Sequence, residues 1–304
     1  MKVGIVLPQV GQNATRENIL YVAKEAEKSG LDSVWTIDRL LWPLKPQTPY
    51  PVTPDGSLPT EYQHVLDPLE TLTFLAAHTE RISLGTCVVD MPYYTPVNLA
   101  RRFTTLDILS RGRAIAGLGL GWSKDEYDTS NTPYSQRGAR ADEFVAALRK
   151  IWTDEVVEFN GNFYRIPASK IAPKPLQKPH PPILLGGFAP GTLERIVKYA
   201  DGWIAIAGFG PLDQLAQTIK GLQEAARKAG RDPSRVFVLA YPYLVDSKDN
   251  RSPMSGTIDQ IGSDIAQIRE MGAEHIIFGY LFSPLGSDLK KMMDVTVQLA
   301  KFAR

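Results

Sequence analysis

Short apolar runs alternate with longer amphipathic segments along most of the chain. Each run is rich in β-branched residues, as is typical of buried parallel strands, and each following segment repeats its apolar positions at helical spacing. The pattern predicts eight strands, at 2–8, 31–38, 81–90, 113–121, 182–187, 202–208, 235–245 and 274–282. It predicts eight helices, at 15–30, 67–80, 96–112, 137–152, 192–201, 212–230, 257–272 and 287–303.

Eight strand–helix pairs in 304 residues favour an α/β fold of one kind, the closed (β/α)8 TIM barrel, over an open doubly wound sheet. We therefore expect a single barrel domain over residues 1–304. Two segments interrupt the alternation. A long proline-rich loop from Pro43 to Pro59 follows strand two, and an insertion separates strands four and five. Within the insertion, VVEFNGNFYRI alternates like a hairpin around Asn160 and Gly161.

Composition limits the class of partner. Hydrophobic residues make up 43% and charged residues 22% of the chain, and the formal net charge is +1. This balance gives no attraction to nucleic acid or to a membrane surface. No apolar run approaches the roughly 18 to 20 residues of a membrane span, and the N-terminus lacks a signal-peptide pattern. We expect a cytoplasmic protein whose partner is a small-molecule substrate.

The sequence shows no chemistry of its own for a metal or a covalent nucleophile. The four histidines are scattered without metal-binding spacing, and Cys87 is the single cysteine. No G-x-S-x-G motif occurs, and no lysine ends a predicted strand. We expect no metal site, so chemistry at the barrel mouth requires an organic cofactor.

The segment AIAGLGLGW places Gly119 and Gly121 at the end of strand four. It is not a dinucleotide fingerprint, because Trp122 stands where the third glycine is needed and the motif does not follow strand one. Either the glycines allow tight strand packing, or they let a flat ring or a phosphate approach the backbone. Active sites of barrels lie at these strand ends, which favours the second interpretation.

A second glycine pair, Gly186 and Gly187, ends strand five. The helix that follows has no acidic residue before Glu194. Free backbone N–H groups and the positive end of the helix dipole suit a phosphate at such a position. A plain turn between strand and helix is the alternative.

Four segments together resemble the luciferase-like monooxygenase superfamily, and most closely its branch that uses the deazaflavin coenzyme F420. They are GLDSVWTID, LDPLETLTFLAAHTERISLGTCVV, LDILSRGRAIAGLGLGW and GGFAPGTLERIVKYADGWI. Each segment alone is a weak signal, but the resemblance covers nearly the whole chain. It also implies an insertion between strands four and five.

The resemblance implies that GTCVV is the strand-three bulge, with a non-prolyl cis peptide between Cys87 and Val88 supporting the cofactor ring. Thr86 belongs to the same cofactor-binding segment. The remaining cofactor-binding residues that it implies are Gly119, Gly121 and Trp122 along the ring, and Gly186, Gly187 and Phe188 at the phosphate.

The candidate catalytic residues are Asp38 and Arg39. The resemblance implies that Asp38 lies near the ring. The F420 branch commonly has histidine after this aspartate, and Arg39 stands there instead. Arginine stays charged and cannot shuttle a proton as histidine does. Arg39 is therefore expected to bind a substrate carboxylate or phosphate, to pair with Asp38, or to form an ion pair that holds its loop.

Three functions remain open. The first is an F420-dependent oxidoreductase that moves a hydride between the deazaflavin and an organic substrate. The second is a monooxygenase that uses reduced FMN, and the third is a flavin-binding barrel without turnover. The loop that contains Trp42 covers the mouth in each, with Tyr50, Tyr62 and Tyr93 as candidate pocket aromatics. A homodimer is compatible with the resemblance, since the family often dimerises.

Overall fold

Eight parallel strands close on themselves in the computed structural model, which describes residues 1–53, 55–208, 210–231, 235–246 and 251–304. The strands are β1 Lys2–Val6, β2 Ser33–Thr36, β3 Ser83–Thr86, β4 Ala114–Gly119, β5 Ile183–Gly186, β6 Gly202–Ala207, β7 Arg235–Ala240 and β8 His275–Phe278. β1 pairs with β2 and β8, and the β3–β4 pairing, with Leu84 opposite Ala114, completes the circle. The predicted TIM barrel is confirmed.

Helices cover the outside of the barrel. They are α1 Arg16–Lys28, α2 Pro68–Ala76, α3 Pro96–Leu109, α4 Lys124–Thr129, α5 Arg137–Thr153, α6 Pro190–Tyr199, α7 Leu212–Lys228, α8 Ile258–Glu270 and α9 Leu289–Ala303. The caps follow from the sequence: the Thr15 side chain accepts from the Asn18 N–H, and Asp67 accepts from Leu69 and Glu70. In the described ranges no helix has both the length and the apolar character needed to cross a bilayer.

Three details differ from the predicted elements. α4 is a short additional helix after β4 that the apolar pattern missed. Strand three is interrupted after Thr86 and resumes as Val89–Asp90, and strand seven ends at Ala240. Between β4 and β5 an antiparallel hairpin pairs Val157–Asn160 with Arg165–Ser169, as its alternation predicted.

The loop after β2 runs from Ile37 to the start of α2 and folds against α4. Its contacts with α4 include hydrogen bonds from the Gln47 backbone to Asp125, at 3.0 Å, and from the Lys124 backbone to Thr48, at 3.2 Å. Trp42 donates to the Pro59 carbonyl at 3.1 Å and closes the loop on itself. Within the loop, Pro54 lies outside the described residues.

A cluster of polar and aromatic side chains fills the base of the barrel interior. Trp35 donates to the Ser33 hydroxyl at 2.6 Å, and that hydroxyl lies 2.7 Å from Nε2 of His275. Phe237 stacks on the His275 ring, with centroids 5.1 Å apart. The lower end of the barrel is therefore closed, and the opposite end, where the strands reach their carboxyl termini, is the end available for a site.

Candidate active site

An apolar floor lies across the carboxyl end of the barrel interior. Five half-buried side chains pack there on the buried interior residues: Val6, Ile37, Val88, Ile206 and Tyr241. Because these side chains pack on the interior residues and stay partly exposed, the floor offers an apolar surface to a ligand at the mouth. We call these five residues the mouth floor.

Val88 contributes to the mouth floor from the interruption in strand three. The peptide bond between Cys87 and Val88 is cis, which confirms the position expected from the sequence. Val88 is flanked by glycines of the two next strands. A Cβ at Gly119 would overlap the Val88 side chain, and one at Gly186 would lie 3.0 Å from its Cγ1. The structure thus brings Val88, Gly119 and Gly186 together.

Space beside Gly119 and Gly121 is filled by protein side chains. A Cβ at Gly119 would also meet the Asp90 carboxylate at 2.6 Å, and one at Gly121 would overlap the Tyr93 hydroxyl. Gly121 has a φ of 70°, which glycine adopts without strain. The packing interpretation accounts for this geometry, and direct contact of a cofactor with these two glycines stays a prediction.

Thr86 and Cys87 hold strand ends together. The Thr86 hydroxyl donates to the Gly117 carbonyl at 2.6 Å and accepts from the Gly117 N–H at 3.0 Å. Cys87 is buried, its N–H donates to the Thr36 carbonyl at 2.7 Å, and burial raises the pKa of its thiol. The thiol therefore stays protonated and unreactive at neutral pH.

Beyond β5, the chain forms an uncapped helix start. Gly187, with a φ of 119°, accepts a 2.9 Å hydrogen bond from Trp203 at its carbonyl, and Phe188 is 55% exposed with its ring against Trp203. No side chain caps the N-terminus of α6, and its first turn carries no acidic residue. Such a terminus favours an anion.

Asp38 lies at the end of β2 and is 7% exposed. Its Oδ2 accepts from the Asp90 N–H at 3.2 Å and from the Tyr94 hydroxyl at 3.4 Å. Burial raises the pKa of Asp38 from 3.8 to about 6, and the Asp90 N–H and Arg39 oppose that rise. A carboxyl with this pKa gains or loses a proton close to neutral pH, which suits general acid–base chemistry.

Arg39 forms an ion pair with Glu126 of α4. Nη2 of Arg39 lies 2.6 Å from Oε2 of Glu126, outside hydrogen-bonding alignment, and the two side chains are 5% and 0% exposed. The guanidinium also lies over the ring of Trp122, 4.8 Å from its centroid, and over Tyr62 at 5.6 Å. Arg39 is thus enclosed by protein, as the ion-pair interpretation expects, although with Glu126 rather than with Asp38.

The carboxyls of Glu126 and Asp90 also belong to the polar side chains around Asp38 and Arg39. Glu126 also accepts from the Leu40 N–H at 2.9 Å and from the Tyr93 hydroxyl at 3.1 Å. Burial raises the pKa of Asp90 well above its usual range, reinforced by Asp38 and Glu126. In the described part of the chain, no three or more histidine, cysteine, aspartate or glutamate side chains are arranged to hold a metal.

A cavity of about 870 Å³ opens beside the mouth floor, at the ends of β1, β2, β7 and β8. It shares Val6, Ile37 and Tyr241 with the floor. Its polar lining includes Gln12, Asn13, Glu61, Gln63, His64 and Ser283. A volume of this size is typical of small-molecule sites. Of the candidate pocket aromatics, Tyr50 and Tyr62 are buried and share a 3.0 Å hydrogen bond, and Tyr50 packs on Trp122.

Comparison with known proteins decides the family. The family model described as luciferase-like monooxygenase matches residues 1–275. This chain belongs to the luciferase-like monooxygenase family. An uncharacterized protein of Mycobacterium tuberculosis is 33% identical over 261 residues, covering 84% of this chain and 85% of that one. The oxidoreductase class expected from the sequence is confirmed with the family.

Two further relatives name a cofactor. An F420-dependent glucose-6-phosphate dehydrogenase of Amycolatopsis mediterranei is 29% identical over 261 residues, covering 82% of this chain and 72% of that one. The solved structure of an F420-dependent secondary alcohol dehydrogenase, in complex with an F420–acetone adduct, shares the fold. Its TM-score is 0.78 at 19% identity, and the match covers 100% of this chain and 99% of that one. Among luciferase-like proteins of this kind, the cofactor is a deazaflavin or a flavin.

The residues at the mouth fit such a cofactor. A flat ring requires an apolar surface that is open on one side, and the mouth floor around Val88 has that character. A phosphate suits the N-terminus of a helix without a side-chain cap, and α6 begins in this way at Pro190, three residues after Gly187. The floor and the helix start adjoin each other, because Gly186 packs against Val88 and Gly187 lies against Thr192 in the first turn of α6.

Sequence reasoning missed three polar residues of this site: Asp90, Tyr94 and Glu126. Glu126 had a local signal, since Ser123 followed by Lys124, Asp125 and Glu126 is an acidic helix start after a strand. Asp90 and Tyr94 had none, because their roles arise from contacts with Asp38, more than fifty residues earlier along the chain.

Proposed function

We propose that this chain is an F420-dependent oxidoreductase that transfers a hydride between the deazaflavin and a small organic substrate. The observation that carries the proposal is the adjacency of the open mouth floor at Val88 to the uncapped start of α6. The first suits a flat ring and the second its phosphate. Curated relatives at 29% and 31% identity are named F420-dependent, which favours the deazaflavin over FMN.

The bound deazaflavin supplies the hydride acceptor or donor. It lacks the ring nitrogen that helps a flavin form an oxygen adduct, so its use excludes the monooxygenase reaction. The protein contributes position, exclusion of water and a proton site. The mouth floor supports the ring, and the cavity beside it, with its apolar floor and polar lining, holds the substrate.

Asp38 holds or accepts the proton that accompanies hydride transfer. Its carboxyl is buried and its pKa of about 6 lies near neutral pH, where both protonation states are accessible. Arg39 cannot take this role, because it stays charged and is enclosed with Glu126 and Trp122. We assign Arg39 a structural role: it holds the polar side chains around Asp38 in position.

The test is a titration of the purified protein with F420 and with FMN, followed by visible absorbance. Saturable binding of F420 and none of FMN is the expected result. Saturable binding of FMN alone would establish the monooxygenase chemistry instead, and binding of neither would remove the proposal.

A matched pair of variants tests the phosphate position. Gly187→Asp places a negative charge at the start of α6 and should weaken F420 binding by about 100-fold, or roughly 2.7 kcal/mol. Gly187→Asn has the same size and the same backbone strain at a φ of 119° but no charge. It should bind much more tightly than Gly187→Asp. Equal affinities of the two variants would place the phosphate elsewhere.

A further inference from the structure

Tyr94 lies between the buried Asp38 carboxyl and the surface of the protein. Its hydroxyl is 3.4 Å from Asp38 Oδ2, and its side chain is half-buried. On the outer side is Arg102 of α3, with its guanidinium carbon 5.4 Å from the centre of the Tyr94 ring. Arg102 pairs with Asp67 at 2.8 Å, and these two side chains are 22% and 43% exposed. The half-buried Tyr94 therefore stands between Asp38 and a partly exposed pair of charged side chains.

Tyr94 keeps its proton at neutral pH. Burial raises the pKa of the Tyr94 hydroxyl, the carboxylates of Asp38 and Asp67 raise it further, and Arg102 opposes them. A protonated hydroxyl is both a donor and an acceptor, so it passes a proton on without becoming charged for long. Arg102 itself stays charged and only positions the hydroxyl.

An arrangement of this kind answers a requirement of the proposed function, on which the inference rests. Hydride transfer to or from an alcohol or carbonyl also moves a proton. Asp38 is 7% exposed, so its carboxyl has little direct contact with bulk solvent. The proton then needs a route to solvent that does not pass through the occupied mouth, and Arg39 offers none.

We propose that Tyr94 relays protons between Asp38 and solvent. In the oxidation of an alcohol, the substrate hydroxyl gives its proton to Asp38 as the hydride leaves its carbon. Asp38 then gives a proton to the Tyr94 oxygen, while the Tyr94 hydroxyl proton passes to a surface water. Asp38 is again a carboxylate and Tyr94 again a neutral hydroxyl. In the reduction of a carbonyl, each transfer runs in reverse.

The titratable and charged side chains around Asp38 and Tyr94 come from five elements. They are Arg39 after β2, Asp67 at the start of α2, Asp90 after strand three, Arg102 of α3 and Glu126 of α4. Tyr94 itself carries no charge, and its hydroxyl stabilises the ionised form of Asp38 by donating to Oδ2. Removing that hydroxyl therefore shifts the Asp38 equilibrium without changing the fixed charges.

The first test uses the cofactor-free protein. Infrared difference spectra between acid and neutral pH report the carboxyl band of Asp38, which is assigned by its loss in Asp38→Asn. In Tyr94→Phe the ionised carboxylate loses a donor, so we expect Asp38 to titrate at a higher pH than in the wild type. The control is Tyr93→Phe, which removes a neighbouring hydroxyl that bonds to Glu126 instead. It should leave the Asp38 band in place.

The second test uses the F420-loaded enzyme. Tyr94→Phe should reduce turnover by about 10-fold or more and raise the solvent isotope effect. Small weak acids such as formate should restore part of the rate, because they replace the relay. Tyr93→Phe should show no such rescue.

The outcomes separate the two proposals. Unchanged titration of Asp38 in Tyr94→Phe, or a slow variant that no weak acid rescues, overturns the relay alone. Failure of the wild type to bind F420 overturns the proposed function and the relay with it.

Discussion

Asp38 carries an energetic cost that follows from its position. The buried carboxylate has few hydrogen-bond donors, and the nearby carboxylates Asp67 and Glu126 disfavour its charge. Its pKa is raised in the folded protein, so the folded state binds a proton more tightly than the unfolded chain. Stability therefore falls as pH rises from about 4 to about 6, and the cost is fully present above pH 6.

Asp38→Asn should therefore stabilise the protein at neutral pH. The amide keeps an acceptor for the Asp90 N–H and removes the buried charge. We expect the free energy of unfolding in urea to rise on the order of 2 kcal/mol at pH 7.5. Near pH 4, where the wild type is already protonated, the difference should vanish. A variant less stable than the wild type at pH 7.5 would show that the buried charge of Asp38 does not destabilise the folded protein.

At this scale the sequence predicted single residues better than their contacts. The cis peptide at Cys87 and Val88 followed from the resemblance and is present. The partner of Arg39 could not be predicted, because Glu126 lies 87 positions further along the chain and meets it only after the barrel closes. Whether a glycine leaves room for a ligand or for a side chain is likewise a property of the folded neighbourhood, as Gly119 beside Val88 illustrates.

The short helix α4 acts as a clamp for the long loop after β2. Glu126 meets Arg39 and the Leu40 N–H, and Asp125 meets the backbone of Gln47. Six mostly polar residues are too few to produce a visible helical period, which is why the apolar pattern missed this element. The eight barrel strands and the hairpin were predicted because their patterns are longer or repeated.

The Arg39–Glu126 pair should dominate the stability of this clamp. Glu126→Gln leaves a buried guanidinium without its counter-charge and should lower the free energy of unfolding by about 3 kcal/mol. In the double variant Arg39→Met/Glu126→Gln, the methionine covers Trp122 without charge, so most of that loss should be recovered. Urea unfolding of Arg39→Met, Glu126→Gln and the double variant, compared with the wild type, completes a double-mutant cycle. Additive effects would mean that the pair contributes no coupling.

At the scale of the whole molecule, a cluster of buried side chains joins several strands at the lower end of the barrel, far from the mouth. Trp35 donates to the Ser33 hydroxyl, and that hydroxyl forms a hydrogen bond of 2.7 Å with Nε2 of the buried His275. Burial, with smaller contributions from Lys2 and Arg235, lowers the pKa of His275 from 6.5 to about 3. Three strands, β2, β7 and β8, meet at this group through Trp35, Phe237 and His275.

Acid should therefore destabilise the barrel through His275. Below pH 6.5 the unfolded chain takes up a proton there and the folded chain does not, so stability falls by about 1.4 kcal/mol per pH unit toward pH 3. Asp38 offsets part of this loss between pH 6 and 4. His275→Gln should lose about 2 kcal/mol less than the wild type between pH 7 and 4.5. His64→Gln, at an exposed position, should follow the wild-type curve, and identical curves for all three would exclude His275 as the cause.

At the mouth of the barrel, the proposed cofactor position and the cavity lie largely at the ends of different strands. The proposed phosphate and glycine positions lie at the ends of β3, β4 and β5, whereas the cavity is lined from the ends of β1, β2, β7 and β8. The two regions meet at Val6, Ile37 and Tyr241 of the mouth floor, which also line the cavity. Substitutions of cavity residues outside the mouth floor are consequently free to alter which substrate is accepted without changing the contacts proposed for the coenzyme. During evolution, substrate specificity is therefore able to change in this scaffold while the coenzyme stays the same.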